Sequence, residues 1–228
     1  MPKKTKAVKV TDVRGEKSWL KKKHISKYPV ETLSKKKTFL IVCEGQCEEL
    51  YFKSFPVVSA IVKPVPLGCS KTTLVECTQE LVYDETFDEI WCVFDMDYKP
   101  DVKTQYADFN KAIDLAYASG FNCAYSNDAF ELWYVLHYQF VDQEHPRQFY
   151  FRRLSDLWNM NYEKNGKTKD FAKTVYALLE NDSKASQKKA IEYARSLYEK
   201  LGGLTYHKQN PVTLVYKLVE SLNEHIRE

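Results

Sequence analysis

The fold is decided by one stretch near the start of the chain, Thr38-Phe39-Leu40-Ile41-Val42-Cys43-Glu44-Gly45-Gln46-Cys47-Glu48. Its five apolar residues run without interruption, which predicts a strand buried on both faces of a parallel sheet. The apolar side chains that follow have helical spacing, which predicts a helix over residues 46–55. Glu44 then lies at the carboxyl end of the strand, and Glu48 lies about one helical turn further on.

These two acidic residues stand where an open α/β sheet binds its ligands, outside the carboxyl ends of the strands. Neither carboxylate helps the strand or the helix to fold, so the pair favours a bound metal ion or another cation. The alternative is that Glu44 and Glu48 are a capping residue and a solvated residue.

A second stretch repeats this arrangement, Asp88-Glu89-Ile90-Trp91-Cys92-Val93-Phe94-Asp95-Met96-Asp97. Five apolar residues again predict a buried strand, and this strand also ends on acids, Asp95 and Asp97. An Asp-x-Asp pair alone is common in surface loops. Its position after an apolar strand, together with an acid that ends another apolar strand, makes the pair a stronger indication of a metal site.

A fifth acid follows another predicted strand, over residues 121–126. The helix predicted over 129–138 is apolar nearly all round and should be buried, yet it carries Glu131 near its first turn. Asn127-Asp128 precede this helix and are suited to cap it.

The alternation of strands and helices predicts an α/β fold with a mainly parallel sheet of about four strands flanked by helices. From residue 142 the pattern becomes helical, with Pro211 at the first position of the last helix. Helices are predicted over 148–160, 170–180, 186–201 and 211–226. We therefore expect a basic N-terminal arm (1–37), an α/β core (38–140) and a C-terminal helical extension (141–228) that packs on the core.

Composition excludes several classes of protein. No apolar run approaches 18 residues and no apolar segment follows the N-terminus, so we expect no membrane association and no secretory signal. None of the six cysteines forms a Cys-x-x-Cys pair, which argues against structural zinc and favours reduced thiols in a cytoplasmic protein.

Charge is distributed unevenly along the chain. Residues 1–37 hold thirteen Lys and Arg against three acids, a net charge of +10, whereas the remaining residues carry a net charge of −7. A basic arm on an acidic body predicts binding of a polyanion such as nucleic acid, although a solubilising tail would look the same. The predicted nucleic-acid-binding residues are Arg14, Lys17, Lys21, Lys22, Lys23 and, in a later loop beside Lys167, Lys164. Both loop lysines need no function if they are simply solvated.

The candidate metal ligands are the five acids that map to one edge of the sheet: Glu44, Glu48, Asp95, Asp97 and Glu131. Carboxylates that converge in this way repel one another unless cations neutralise them. One or two Mg²⁺ ions, or Mn²⁺, fit such oxygen ligands best. Metal-assisted phosphoryl chemistry follows, with Glu44, Asp95 and Asp97 as the predicted catalytic residues. Because His137 lies on an apolar helix, we interpret it as a core residue.

These motifs, in this order, resemble the RloB-like family of bacterial anti-phage (abortive infection) loci, which carries a Toprim-like domain. The segments that carry the resemblance are 40–48 with Tyr51-Phe52, 91–97, 126–133 with Leu136-His137, and 210–213. Cys47 and Asp128 depart from the usual Thr and Pro of the family, and neither departure changes an acid.

The resemblance implies that Glu44 is the Toprim glutamate and that Asp95 and Asp97 are the Toprim Asp-x-Asp. It implies that Glu48 and Glu131 correspond to the additional acids of OLD-type nucleases, which use two metals. By that analogy the protein is a Mg²⁺-dependent nuclease effector of phage defence, held inactive by an ATPase partner. Related effectors include RNA cleavers such as those that act on tRNA, so RNA and DNA both remain open as substrates, and a homodimer remains open as the assembly.

A second hypothesis is that the chain is a binding or regulatory subunit that uses a Toprim-like fold without chemistry. The net charge of −7 on the body favours it, because an acidic body binds nucleic acid poorly without metal. The intact set of five acids favours the nuclease.

Overall fold

A parallel sheet forms the centre of the fold. A computed structural model describes residues 37–64 and 69–226 of the chain. The sheet comprises β1 (Phe39–Cys43), β2 (Ala60–Pro64), β3 (Glu89–Val93) and β4 (Asn122–Cys123). The strand order is β2-β1-β3-β4 and every neighbouring pair is parallel. The predicted α/β class with four parallel strands is therefore confirmed.

The position of β1 explains its apolar sequence. It pairs with β2 on one side and β3 on the other, with Phe39 opposite Ala60 and Glu89, and all five of its residues are buried. The chain leaves β1 towards β2 and then crosses to β3 on the opposite side. The carboxyl ends of β1 and β3 therefore border the topological switch point, where open α/β sheets form a ligand-binding crevice.

Three helices connect these strands: α1 (Gln46–Lys53), α2 (Lys71–Leu81) and α3 (Gln105–Ala118). Ser70 caps α2, because its hydroxyl oxygen accepts a hydrogen bond from the Thr73 backbone N–H at 3.1 Å. This cap is the one expected of a Ser before an apolar helical repeat.

Helices dominate the rest of the described chain. They are α4 (Glu131–Leu136), α5 (Arg147–Trp158), α6 (Tyr162–Asn165), α7 (Lys169–Ala172), α8 (Val175–Asn181), α9 (Gln187–Leu201), a 3₁₀ helix (Tyr206–Lys208) and α10 (Val215–Asn223). Their buried side chains form one continuous hydrophobic core with those of the sheet. None of the helices in the described part of the chain combines the length and apolarity that a bilayer crossing needs.

Two local predictions are wrong. The strand predicted over 121–126 stops at Cys123, and β5 (Ser126–Asn127) instead pairs antiparallel with β6 (Val212–Thr213) in a second, two-stranded sheet. Pro211 therefore precedes a strand, and the last helix begins only at Val215. The Ser126 and Thr213 hydroxyls are hydrogen-bonded at 2.8 Å across 87 positions of sequence, a contact that no local pattern reveals.

The helix predicted over 170–180 is also divided. Its first half is α7, which ends at Ala172, and its second half is α8, which begins at Val175. Between them, the Thr174 hydroxyl donates to the Phe171 carbonyl oxygen at 2.7 Å. Hydrogen bonding of a Thr side chain to nearby backbone competes with the regular helical pattern.

Candidate metal centre

Glu44 lies at the carboxyl end of β1, as predicted. Its backbone N–H donates to the Val93 carbonyl oxygen at 2.9 Å, which extends the ladder between β1 and β3 by one bond. Glu44 Oε1 lies 3.2 Å from Lys71 Nζ, at the first residue of α2. Glu44 Oε2 is buried and has no hydrogen-bond partner among the described residues. Within the described residues, no hydrogen bond therefore offsets the lost hydration of this oxygen.

Glu48 occupies the first turn of α1 and is packed against Gly45. A Cβ atom at position 45 would lie 2.1 Å from Glu48 Oε2, so any other residue there would displace the carboxylate. Glu48 Oε2 is also buried without a hydrogen-bond partner in the described part of the chain. The Glu-Gly pair after β1 therefore makes room for a second buried carboxylate beside the first.

Asp95 and Asp97 follow β3. The Phe130 backbone N–H approaches Asp95 Oδ2 at 3.4 Å, and the Asp97 N–H donates to the Asp128 carbonyl oxygen at 2.9 Å. Asp97 has a positive φ of 50°, which marks the sharp turn of the chain at the end of the Asp-x-Asp motif. The loop after β3 is thus held against the segment that precedes α4.

Asp128 does not cap α4, and that prediction is wrong. The helix begins at Glu131, and the Asp128 carboxylate instead accepts the backbone N–H groups of Tyr98 at 2.8 Å and Arg147 at 3.2 Å. Asp128 therefore ties the loop after β3 to the start of α5. This link brings Arg147 to the acids.

Glu131 is buried in the first turn of α4, as predicted. Its Oε1 atom accepts a hydrogen bond from the Tyr162 hydroxyl at 3.2 Å and lies 3.5 Å from Lys167 Nζ. Lys164, the predicted phosphate-binding residue, is exposed on α6, and Lys167 is the lysine that reaches this acid.

The pKa shifts of Glu48 and Asp95 show which acids lie close to one another. Burial raises the pKa of Glu48 to about 7, and the Glu131 and Glu44 carboxylates act in the same direction. Burial also raises the pKa of Asp95 well above its ordinary value, with further contributions from Glu44 and Glu48. Four of the five predicted ligands, Glu44, Glu48, Asp95 and Glu131, therefore form one cluster of mutually repelling carboxylates.

Asp97 stands in a different environment from the other four. Burial acts to raise the pKa of Asp97, but the Arg147 guanidinium and the Lys99 ammonium outweigh it and hold the pKa below its ordinary value. Lys99 Nζ lies 3.0 Å from Asp97 Oδ2, and Arg147 Nη1 pairs with Asp97 Oδ1. Asp97 is therefore ionised and already compensated by two cations.

The cations around the acids are candidate functional residues that the sequence does not reveal. Arg147 bridges Asp97 and Asp95, with Nη2 3.5 Å from Asp95 Oδ2. Arg147 is 50 residues or more distant from both acids in the sequence, so no spacing points to it. Lys71 directly follows the capping residue Ser70, and a lysine in that position is the one local signal of a group that binds an anion.

The donor set suits a hard divalent cation, since it consists of carboxylate oxygens, and two of these are buried with no hydrogen-bond partner in the described part of the chain. Among the described residues, however, no three Asp, Glu, His or Cys side chains are arranged to hold an ion as they stand. Three of the acids are instead paired with cations, Glu44 with Lys71, Asp95 with Arg147 and Glu131 with Lys167. Ion binding thus requires the carboxylates to turn away from these partners.

Other predicted residues do not belong to this cluster. His137 is buried, and its Nδ1 donates to the Trp133 carbonyl oxygen at 2.9 Å, as expected of a core histidine. The predicted arm residues Arg14, Lys17, Lys21, Lys22 and Lys23 lie outside the described residues. All six cysteines are free thiols.

One comparison with known proteins, the match to a family model, agrees with the resemblance seen in the sequence. No curated protein matches the chain. Among solved structures, the C-terminal region of the Burkholderia pseudomallei OLD protein is similar at 9% identity and a TM-score of 0.36, over 84% of this chain and 99% of that chain. A TM-score this low supports no conclusion about activity. The family model described as "RloB-like protein" matches residues 39–222, which include all five acids. The chain therefore belongs to the RloB-like family.

Proposed function

We propose that this protein is a metal-dependent nuclease that hydrolyses phosphodiester bonds in RNA, such as tRNA, or in DNA. One observation carries the proposal: Glu44 and Glu48 each bury a carboxylate oxygen that has no hydrogen-bond partner within residues 37–64 and 69–226, in a cluster of four acids. An uncompensated buried charge costs several kcal/mol, roughly, even after relaxation of the protein. A site that keeps such charges at the ligand-binding edge of the sheet is best explained by a cation that binds there.

Glu44, Glu48, Asp95 and Glu131 would hold the ion or ions, and Asp97 would join them when Arg147 releases it. A bound Mg²⁺ or Mn²⁺ supplies activation of water and neutralisation of charge on the scissile phosphate. If the carboxylates held an ion, Lys71, Arg147 and Lys167 would lose their present partners. These three side chains would then be available to pair with phosphate oxygens, and Arg147 would do so with two parallel hydrogen bonds.

The biological setting is also part of the proposal. The resemblance to anti-phage proteins supports a role as an effector of phage defence, controlled by a partner ATPase. The net charge of +10 on residues 1–37 supports contact of that segment with nucleic-acid phosphates.

Cleavage assays test the catalytic part of the proposal. The purified protein is incubated with tRNA, single-stranded DNA and duplex DNA, in Mg²⁺, in Mn²⁺ and in EDTA. We expect cleavage of at least one substrate, and we expect both EDTA and the double substitution Asp95→Asn/Asp97→Asn to abolish it. The single substitution Glu44→Gln should have the same effect. A thermal melt of each variant confirms that it is folded.

A matched control is available on the surface. Asp156 and Asp170 are exposed, and their side chains retain 73% and 98% of their accessible area. The Asp156→Asn/Asp170→Asn variant makes the same change in net charge and should cut as the wild type does. Wild-type cleavage by the Asp95→Asn/Asp97→Asn variant would show that the acids have been assigned wrongly.

A non-catalytic binding subunit is the second candidate function. The observation that favours it is that Arg147, Lys71 and Lys167 already neutralise part of the acidic cluster. In that case nucleic acid or a protein partner would bind without being cut in any metal ion. The same assays then show no cleavage of any substrate.

A further inference from the structure

A second feature lies directly beside the acids: a cleft of about 530 Å³ between the loop after β3, the start of α5 and the 3₁₀ helix. Its lining includes Met96, Tyr98, Tyr106, Arg147, His207 and Asn210. Arg147 is shared with the acidic cluster, since it pairs with Asp95 and Asp97. Whatever binds in the cleft is therefore next to the predicted reaction centre.

Aromatic rings form one wall of this cleft. The Tyr98 and Tyr106 rings are 5.6 Å apart and within 12° of parallel, and the His207 ring lies 4.9 Å from Tyr106. Tyr98 and Tyr106 remain 46% and 41% exposed, although each carries a large apolar surface. A half-exposed stack of flat rings is the surface on which a nucleobase stacks.

The rings are held in place by hydrogen bonds. Asp128 accepts the Tyr98 N–H, and Asn110 fixes His207 twice: its amide donates to His207 Nδ1 at 2.8 Å, and its oxygen accepts the His207 N–H at 3.0 Å. The stacking surface is thus formed before any ligand arrives, which lowers the entropic cost of binding.

Unpartnered polar atoms complete the cleft. Asn210 Oδ1 and Arg147 Nε are both buried, and neither has a hydrogen-bond partner among the described residues. An acceptor and a donor of this kind match the exocyclic amine and the carbonyl or ring nitrogen on the edge of a base. Flat ring faces together with these polar groups in the lining favour a base over a purely apolar ligand.

A second cleft shares Met96 with the aromatic one. Its lining carries three lysines, Lys71, Lys99 and Lys111, beside the acids Glu44, Asp97 and Asp108. Cations at that position suit the phosphates of a strand whose base occupies the aromatic cleft. One strand could therefore span the acids, with phosphates on one side and a base on the other.

We propose that the cleft formed by Tyr98, Tyr106, His207, Arg147 and Asn210 binds an unpaired base of a single-stranded substrate, beside the bond that is cut. This inference rests on the nuclease function proposed above and narrows its substrate class to single strands, loops or ends. A paired base cannot enter the stack, because its faces are covered by neighbouring bases and its edge is hydrogen-bonded to its complement.

Fluorescence of 2-aminopurine tests the proposal without relying on catalysis, because the base analogue is quenched when it stacks. The full-length Asp95→Asn protein, which we expect not to cut, is titrated in Mg²⁺ into single-stranded RNA and DNA oligonucleotides that carry the analogue. The same sequences are tested as duplexes. We expect quenching with at least one single strand and none with the duplexes.

The Tyr98→Leu and Tyr106→Leu substitutions, added to that protein, should remove the quenching and weaken binding about tenfold each, the effect of losing one base–aromatic stack. Tyr98→Phe and Tyr106→Phe keep the aromatic ring, so these variants should retain both the quenching and the binding affinity. Tyr83→Leu is the matched control, because Tyr83 is 87% exposed and lies outside both clefts. Thermal melts verify the fold of each variant.

The outcomes separate this inference from the proposed function. Equal quenching in the Leu and Phe variants, or no quenching with any single strand, overturns the base-binding cleft even if cleavage proves metal-dependent. Ring-dependent quenching together with cleavage that ignores EDTA and the acid substitutions supports the cleft and overturns the metal-dependent nuclease.

Discussion

His137 shows at the scale of one residue how burial controls ionisation in this fold. It is only 3% exposed, and burial lowers its pKa to about 4, although the hydrogen bond to the Trp133 carbonyl acts in the opposite direction. In the unfolded chain a histidine has a pKa of about 6.5. Between these two values the unfolded state binds more protons than the folded state.

We therefore predict that the contribution of His137 to stability falls as the pH is lowered from about 6.5 to about 4. This loss is roughly 3 kcal/mol at most, because each pKa unit corresponds to about 1.4 kcal/mol. Above pH 6.5 the residue is neutral in both states and contributes no pH dependence. Urea unfolding of the wild type and of His137→Gln, at several pH values from 4 to 7.5, measures the difference.

Glutamine at position 137 can still donate to the Trp133 carbonyl but does not titrate in this range. The variant should therefore lose less stability than the wild type between pH 6.5 and pH 4. Identical slopes for the two proteins would show that His137 is not buried as a neutral residue.

Single acids were predictable from the sequence, but their partners were not. Glu44, Asp95 and Asp97 each follow a continuous apolar run, and a parallel strand directs such positions to one edge of the sheet. Arg147 follows Pro146 at the start of an ordinary amphipathic helix, so its neighbourhood carries no signal of its contact with Asp95. Tertiary folding alone brings it there, through the Asp128 hydrogen bonds to Tyr98 and Arg147.

At the scale of an element, the start of α2 is held by a residue of α3. The first N–H groups of a helix have no partner within the helix. The Asp108 carboxylate accepts the Lys71 N–H at 2.9 Å, the Thr72 N–H at 3.2 Å and the Thr72 hydroxyl at 2.6 Å. Burial acts to raise the pKa of Asp108, but the hydrogen bonds outweigh it and hold the pKa below its ordinary value.

We predict that Asp108→Ala lowers the free energy of unfolding at pH 7 by about 1–2 kcal/mol, the usual cost of losing a helix cap. Denaturant unfolding measures this loss, with Asp156→Ala on the exposed face of α5 as the control, for which we expect little change. Because the folded pKa is lowered, the contribution of Asp108 is present at neutral pH and disappears in acid. An Asp108→Ala variant as stable as the control would contradict this role in capping α2.

Elements were predictable where their signal is local. The apolar runs of β1 and β3 and the helical spacing of α9 lie within single segments, and the structure places each of these elements within a few residues of its prediction. The short strands β5 and β6 have no such local signal. Each has only two residues, and their pairing joins segments more than 80 positions apart.

At the scale of the whole molecule, the topology concentrates negative charge in one place. β1 and β3 are neighbours, and the chain crosses between them, so the acids after both strands meet at the switch point. Folding therefore buries carboxylates that repel one another, and part of the hydrophobic free energy of the core offsets this repulsion. The fold should gain stability from anything that neutralises the cluster.

We predict that Mg²⁺ raises the melting temperature of the wild-type protein relative to EDTA. At a concentration 100-fold above Kd, a ligand specific for the folded state contributes about 2.7 kcal/mol. For a chain of this size that corresponds to a shift of roughly 5–10 °C. Differential scanning fluorimetry over a series of Mg²⁺ concentrations measures the shift.

Glu48→Gln provides the decisive comparison, because Glu48 Oε2 is buried without a hydrogen-bond partner among the described residues. Removal of this charge should make the metal-free protein more stable than the wild type and should reduce the shift caused by Mg²⁺. If the Glu48 carboxylate merely supported the fold, Glu48→Gln would instead be less stable than the wild type in EDTA. The surface variant Asp156→Asn/Asp170→Asn should retain the full shift. If Mg²⁺ shifts all three proteins equally, or none of them, the acidic cluster is not a metal centre, and the non-catalytic binding function becomes the better explanation.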